Sequence, residues 1–228
     1  MAWGLFRRRQ VIVPTWRGWL LFFLFLVVCA IVFVRGAYSF LATTDSRPGS
    51  YLVVEGWAPD YASKQAIEEF NRHSYLKLFT TGGPIEKGAP LAEYKTYAEM
   101  ELATLARLGA DTNTVQAAPA PLVRRDRTYT SAVALKNWFT EHNLTVTNLN
   151  LVTVGPHARR SRLMFQKAFD GKTSIGVIAI VPFDYNKGNW WRSSQGFREV
   201  TSEMFAYFYA KILFHPPKKG PSTASTPP

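Results

Sequence analysis

The sequence predicts an α/β protein: a three-layer Rossmann-like domain with a mainly parallel sheet, preceded by one N-terminal transmembrane helix. A charge-free apolar run, "WLLFFLFLVVCAIVFV", covers residues 19–34. After it, short apolar runs alternate several times with helical patterns, which is typical of βαβ units. The 228 residues, 47% of them hydrophobic, suffice for one core of ordinary size.

The apolar run is long enough to cross a bilayer when it is extended to residues 19–41. A cleaved signal peptide is the alternative. Signal peptidase prefers a small residue directly before the cut and another two positions before that residue. Ala37 and Ala42 could occupy the first position, but Arg35 and Phe40 would then occupy the second. We therefore expect an uncleaved signal anchor.

The flanking charges predict the orientation of this anchor. Four arginines precede the run, whereas Arg35 and Arg47 are the bases that soon follow it. The positive-inside rule then places residues 1–18 in the cytoplasm and the main domain on the periplasmic, extracytoplasmic side of the inner (plasma) membrane. Cys29 is the single cysteine and lies inside the run, so the exported domain has no disulfide.

The net charge of +11 does not indicate a nucleic-acid-binding protein. All 16 acidic residues lie within residues 36–216, whereas seven of the 27 basic residues lie outside that range. The remaining net charge of +4 forms no basic stripe that would follow a phosphate backbone. We therefore expect no nucleic-acid partner.

The hydrophobic pattern divides the rest of the chain into a linker, one domain and a tail. We expect a linker over residues 42–49, a domain over 50–214 and a disordered tail over 215–228. Predicted strands cover 50–56, 75–83, 114–121, 148–154 and 173–183, the third weakened by its prolines. Predicted helices cover 59–72, 91–108, 128–142, 156–169 and 197–214.

Ligands of such sheets bind beyond the carboxyl ends of the strands, where the strand order reverses. The residues that follow the predicted strands should therefore face one rim. They are Glu55, Gly56 and Trp57; Thr81, Gly82 and Gly83; Asp126, Arg127 and Thr128; Gly155 and His157; Asp184, Trp190 and Trp191.

The segment "GPHARRS" after the fourth strand has two interpretations. It is either a solvated helix start or one wall of an anion site. His157 lies in the first turn and Arg160 lies on the same face. Because a cation at a helix N-terminus is unfavourable, this placement indicates an anionic partner. Arg159 and Arg162 point elsewhere and are expected to be solvated.

Other polar segments are individually weak signals. "TTGGP" offers free N–H groups, but any tight turn uses Gly-Gly, and the sequence is not a P-loop. In "DRTYTSA", Asp126, Thr128 or Thr130 could cap the helix. Spacing alone leaves Glu99 on a helix surface. The four histidines show no metal-ligand spacing, so no metal site is predicted, although a magnesium site on carboxylates stays open.

The aromatic helix near the C-terminus has two further interpretations. Its Phe and Tyr residues favour core packing, while its length would let one side rest on the membrane surface.

The segments "TTGG", "YAEMELATLARLGAD", "DRTYTSAVALKNW" and "LVTVGPHARRSRLMFQKAF", in this order, resemble the ElyC/SanA/YdcF family of bacterial membrane-associated envelope proteins. The resemblance covers roughly residues 50–213. It implies a Rossmann-like domain with a role in cell-envelope and peptidoglycan biogenesis. It also implies a shared pocket formed by Glu99, Asp126, Arg127, Thr128, Tyr129, His157 and Arg160. The first strand departs from the family, because "VVEGW" replaces a run of glycines.

Three functions are compatible with these residues. The first is an enzyme acting on a phosphorylated or glycosylated envelope intermediate, such as a lipid-linked or nucleotide sugar. There His157 would be the general acid/base at neutral pH, and Glu55 or Asp126 would orient it or bind a substrate hydroxyl. Arg160 and Arg127 with the Gly82 and Gly83 amides would hold the anion. The second is a non-catalytic module with the same pocket. The third is an S-adenosylmethionine or nucleotide site, with Glu55 on a ribose. The cofactor is unknown from sequence.

Overall fold

The apolar run forms one long helix, α1, from Trp16 to Leu41. A computed structural model of the chain describes residues 13–86 and 89–217. An 18-residue window of α1 has a mean hydropathy of 2.7, and the helix is long and apolar enough to cross a membrane. Arg7, Arg8 and Arg9 lie outside the described residues, so the orientation of the anchor stays a prediction.

The chain forms two compact units, which meet between Gly36 and Ala37. The first unit contains most of α1. The second contains the last turn of α1 and everything after it, and three side chains of that turn are buried: Ala37, Tyr38 and Leu41. The end of α1 is therefore part of the core of the second unit.

A five-stranded parallel sheet forms the centre of the second unit, as predicted. Its strands are β1 (Tyr51–Glu55), β2 (Lys77–Gly82), β3 (Val115–Pro119), β4 (Asn148–Val154) and β5 (Ser174–Ile180). They are ordered β3-β2-β1-β4-β5 and all pair in parallel. The strand with the prolines, β3, lies at the edge, where a missing N–H donor is tolerated.

Helices cover both faces of the sheet, which confirms the predicted three layers. They are α2 (Asp60–Arg72), α3 (Tyr97–Arg107), α4 (Arg127–Glu141), α5 (Ala158–Ala168) and α6 (Ser194–Phe208), which continues as a π-helical turn over Tyr209–Leu213. One core cluster joins the sheet to α4 and α5, and the other joins it to α2 and α3. The central strand β1 is buried throughout, as expected for a strand covered on both faces.

The residues predicted as a linker are docked on the sheet. Asp45 and Val177 exchange two backbone hydrogen bonds of 2.8 and 3.0 Å, so the chain after α1 pairs with the edge strand β5. Arg162 Nη2 lies 2.7 Å from Asp45 Oδ2. Arg159 donates to the Phe40 carbonyl and lies over its ring. The expectation that Arg159 and Arg162 are solvated was therefore wrong, because Arg159 binds the last turn of α1 and Arg162 binds the segment that follows it.

The strand order reverses between β1 and β4. From β1 the chain proceeds to β2 on one side, and β4 occupies the other side. The carboxyl ends of β1 and β4 therefore flank a crevice, the usual ligand position in an open α/β sheet. Of the predicted tail, residues 218–228 lie outside the described part of the chain.

Candidate functional site

A cavity of about 620 Å³ lies at this switch point. Its volume is within the usual range for small-ligand sites, about 300–1,000 Å³. Ten predicted site residues line it: Glu55, Thr81, Gly82, Gly83, Asp126, Arg127, Thr128, Tyr129, His157 and Arg160. Gly56 and Glu99, the other two predicted residues, are not among the lining residues.

Gly56 has a packing role. Its N–H donates to the Thr81 carbonyl at 2.6 Å, and a Cβ atom there would lie 2.4 Å from the Tyr97 carbonyl oxygen. No side chain fits between β1 and the start of α3. We therefore replace the predicted ligand-binding role of Gly56 by close backbone packing.

Glu99 is committed to the N-terminus of α3. Its Oε2 accepts from the Thr96 N–H at 2.9 Å, and the Thr96 hydroxyl accepts from the Glu99 N–H at 3.2 Å. This reciprocal pair is a capping box. The binding role implied for Glu99 by the resemblance is corrected accordingly, since the carboxylate is used in satisfying helix donors.

The turn Gly155–His157 positions the histidine between β4 and α5. Gly155 has a φ of +46°, and a Cβ there would lie 2.6 Å from Pro182 Cγ, so only glycine fits. Pro156 then starts the helical turn. His157 thereby faces the cavity from the middle of the sheet, and its side chain is only 13% exposed.

The anion that the cations of α5 require is supplied by the chain itself. Glu203 of α6 accepts from Arg160 Nε at 2.7 Å and from Arg160 Nη2 at 2.9 Å. Glu203 Oε1 also lies 2.8 Å from His157 Nδ1. This carboxylate therefore partners both cations at the N-terminus of α5. Arg160 already donates from Nε and Nη2 to Glu203, so these two donors are not free to bind an external anion.

Glu55 provides a second carboxylate on the other side of the imidazole. It is 4% exposed and accepts hydrogen bonds from the hydroxyls of Thr153 and Ser161. Its Oε1 lies 3.6 Å from His157 Nε2. The two hydroxyls therefore hold the Glu55 carboxylate at ion-pair distance from His157, the position that the predicted orienting role requires.

The two carboxylates hold His157 protonated. Burial alone would lower the pKa of His157, but the charges of Glu55 and Glu203 outweigh burial and raise that pKa to about 9. Burial would likewise raise the pKa of Glu203, but His157 and Arg160 lower it to about 2. The prediction of a histidine that titrates near neutrality is thus corrected: His157 is a cation at pH 7.

One imidazole nitrogen keeps an unused donor. With His157 protonated, its Nδ1 donates to Glu203 Oε1. Arg160 Nη2 donates to the same oxygen and therefore lies only 2.9 Å from Nδ1. Nε2 is buried without a hydrogen bond to any described residue. The Trp57 ring lies edge-on to the imidazole, with 4.9 Å between ring centroids. A buried unsatisfied donor beside a cavity is a group that a ligand can satisfy.

The loop between β3 and α4 makes one end of the cavity basic. Arg127 pairs with Glu86 at 3.0 Å. Arg124 and Arg125 are exposed and lack a hydrogen bond or ion pair to any other residue in the described ranges. The anion-binding role predicted for Arg127 therefore fits these two neighbours better.

Asp126 does not cap α4 in the predicted way. It occupies the N-cap position with a φ of 57°, in the left-handed region, and its side chain makes no capping hydrogen bond. A left-handed aspartate is a strained conformation that recurs at ligand sites. Residues 124–127, which include this turn, all line the cavity. Thr130 donates its hydroxyl to the Asp126 carbonyl.

The opposite end of the cavity is acidic. Asp184, after β5, and Glu199, on α6, line it. Glu199 accepts from the Tyr185 hydroxyl at 3.0 Å. Since β3 and β5 are the two edges of the sheet, about 19 Å separates their ends at the usual strand spacing. The cavity is therefore lined by basic residues after β3 and by acidic residues after β5 and on α6.

The site contains residues that the sequence analysis missed. Glu203 and Glu199 belong to a helix interpreted as aromatic core, yet their i, i+4 spacing places both acids on one face, a signal that was present. Arg124 and Arg125 directly precede a segment that was examined. Ser161 gave no comparable signal, because only the tertiary fold brings it to Glu55.

Among the described residues, no group of three or more His, Cys, Asp and Glu side chains is arranged to hold a metal ion.

The chain was compared with protein-family models, with curated proteins and with solved structures, and none of them matches it.

Proposed function

We propose that this chain is a membrane-anchored α/β protein that binds an elongated ligand carrying an anionic group and acts on it with His157 as proton donor. The observation that carries the proposal is the protonated, buried His157 with its unused Nε2 donor on the wall of the switch-point cavity. Its two flanking carboxylates resemble the arrangement of catalytic histidines that are oriented and charged by neighbours.

The charges along the cavity indicate the ligand class. Arg124 and Arg125 can hold a phosphate or carboxylate, and the Gly83 N–H, which has no partner in the described chain, lies on the same side. Asp184 and Glu199 at the other end can accept hydrogen bonds from hydroxyl groups. A phosphorylated sugar or a similar glycosylated phosphate meets both requirements. The resemblance described above favours an intermediate of cell-envelope biogenesis.

His157 would act as general acid. It would give a proton from Nε2 to the leaving oxygen as its bond breaks, after which the neutral imidazole keeps its Nδ1–H on Glu203. Glu55 would stabilise the charged form before transfer. Nε2 is buried and the Trp57 ring packs edge-on against the imidazole, so a ligand reaches this nitrogen only after a neighbouring side chain moves.

A non-catalytic binding module is the second candidate. The observation in its favour is the geometry of Glu203, which forms hydrogen bonds and ion pairs with both Arg160 and His157. Such a network is equally suited to holding α5 and α6 together without any catalytic role. This module would bind the same ligand without turnover. An S-adenosylmethionine or nucleotide site has less support, because Glu55 is buried and occupied and does not offer an oxygen to a ribose.

The anion site can be tested by thermal shift on the purified full chain in detergent. Inorganic phosphate, UDP-sugars, polyprenyl phosphates and S-adenosylmethionine would be titrated into the wild type and Arg124→Ala/Arg125→Ala. We expect a phosphorylated ligand to raise the melting temperature of the wild type and at least tenfold weaker binding in the variant. Arg107→Ala, which removes an exposed arginine of α3, is the matched control. Equal shifts in all three proteins would contradict the assignment.

Catalysis can be tested with His157→Gln once a ligand is found. Glutamine retains a donor toward Glu203 but has no ionisable proton. If His157→Gln still binds the ligand but no longer turns it over, the enzyme hypothesis is supported. If the wild type binds the ligand and forms no product, the hypothesis of a non-catalytic binding module is supported.

A further inference from the structure

The C-terminal end of α6 carries an exposed apolar patch. Its side chains are between 44% and 77% exposed and comprise Phe205, Phe208, Tyr209, Ile212 and Leu213. The preceding turns of the same helix expose the polar residues Arg198 and Ser202 and a single large apolar side chain, Phe197. A cluster of this kind on one end of a helix is a binding surface rather than a scatter of single side chains.

The backbone of this patch is held firmly. Lys167 of α5 donates from Nζ to the Ala210 and Phe214 carbonyls, both at 2.7 Å. Ala210, Phe214 and Met164 of α5 form a buried cluster under the patch. The exposure of these side chains therefore does not result from a frayed helix end, and they do not take part in the buried core of the domain.

The patch adjoins the last turn of α1. The Phe40 ring contacts the Tyr207 ring with 5.5 Å between centroids. Phe40 is six residues beyond Val34, the last residue of the apolar run, and a helix rises about 1.5 Å per residue. Phe40 therefore lies about 9 Å along the helix from the end of that run, near the C-terminal end of the segment predicted to cross the bilayer.

The charges around the patch favour an anionic surface. Neither Met204–Pro217 nor α5 contains an acidic residue. Lys211 lies within the patch, and its Nζ is 5.9 Å from the Tyr207 ring. Arg159 and Lys167 border it, and Lys218 and Lys219 follow in the sequence. Aromatic side chains with basic neighbours are typical of elements that lie in a membrane interface.

We propose that this patch, residues 205–213, is a second membrane contact that lies in the headgroup layer of the bilayer crossed by α1. The inference rests on the proposed membrane anchoring but not on the ligand or the reaction. A second copy of the chain and a partner protein are the other possible occupants. The lipid surface is favoured because Phe40, whose ring contacts Tyr207 next to the patch, is close in sequence to the apolar run and because the surrounding charges are basic.

Labels at single cysteines can test this contact in the full chain. The native Cys29 serves first, since a fluorophore there reports on the anchor itself. In a Cys29→Ser background, labels would replace Phe208 and Ile212 in the patch, with Ser202 on the polar part of α6 as matched control. The proteins would be reconstituted at low density in vesicles of phosphatidylcholine and phosphatidylglycerol.

Lipids with a nitroxide near the headgroup should quench labels 208 and 212 at least threefold more strongly than label 202. Iodide in the aqueous phase should show the opposite order. If label 29 is shielded from iodide while 208 and 212 are as accessible as 202, the anchor stands and this inference fails. Shielding of 208 and 212 that increases with protein density, or that needs native membranes, would assign the patch to a second copy or to a partner protein and would also overturn the inference.

Discussion

At the scale of single residues, the site depends on a charge maintained by its neighbours. His157 is flanked by Glu55 and Glu203, and Arg160 completes a network of two cations and two anions. Desolvation of four charges is offset only because each finds a partner. Loss of one member should therefore change the protonation of the others.

The titration of His157 tests this dependence. The pKa of His157 should be about 9, and Glu203→Gln should lower it, because burial is then opposed by Glu55 alone. NMR of the ¹⁵N-labelled imidazole against pH measures the change, with His157→Gln to assign the resonance. Glu86→Gln, which removes a carboxylate paired with Arg127, is the control and should leave the titration unchanged. An unaltered midpoint in Glu203→Gln would contradict the network.

A second buried acid, Glu101 of α3, lies outside the site. Burial raises the pKa of Glu101 to about 7, and Ser63 donates to its carboxylate at 2.6 Å. A carboxyl with a raised pKa favours the folded state at low pH, and this stability is lost as pH rises from about 4.5 to about 7. Glu101→Gln should therefore stabilise the protein at pH 8, by at most about 3 kcal/mol, and change little at pH 4. Urea unfolding at both pH values measures it; equal effects at the two would refute the assignment.

At the scale of elements, α3 shows how local sequence fixes a boundary. Thr96 and Glu99 form the capping box, and Gly109 follows the last turn with a φ of +97°. The predicted helix ended at the correct glycine but started at residue 91, six residues too early. In the structure a short 3₁₀ turn, Ala89–Leu91, lies there, and the α-helix begins only after the Thr96 cap.

The cap offers a prediction for Thr96→Ala. Loss of the hydroxyl should lower the free energy of unfolding by about 1 kcal/mol, the usual cost of an N-cap. Ligand shifts in the thermal assay should persist, since neither Thr96 nor Glu99 lines the cavity. Thr140→Ala, which removes an exposed hydroxyl near the end of α4, is the comparison. Loss of ligand binding with intact folding would restore Glu99 to the site.

The sheet and its order of layers were predictable because strand and helix periods are local properties. β4 is an example: "NLNLVTV" was predicted at the same bounds that it has in the structure. The polar side of α6 was missed for the opposite reason. Five aromatic residues dominate its pattern, and the partner of Glu203 is 43 residues away in sequence, so only the fold reveals the ion pair.

At the scale of the whole molecule, the buried network sets a pH range of stability. The raised pKa of His157 adds stability below about 6.5 that is lost as pH rises through about 9. The lowered pKa of Glu203 adds stability above about 4.5 that is lost as pH falls toward 2. The network therefore contributes most between about pH 4.5 and 6.5.

A Glu101→Gln background isolates this effect. In that background, unfolding free energy should still fall from pH 6.5 to 9, and adding His157→Gln should remove most of this slope. Denaturant titrations at half-unit pH steps measure both. A slope that survives the double substitution would assign the pH dependence to another group.

The burial of Ala37, Tyr38 and Leu41 has a consequence for the life of the protein in a cell. A protease that released the domain by cutting just after this turn would remove three core side chains together with α1. The freed product would expose apolar surface and become a substrate for degradation. We therefore expect the cell to adjust the amount of this protein through synthesis and turnover of the whole chain, without a secreted form.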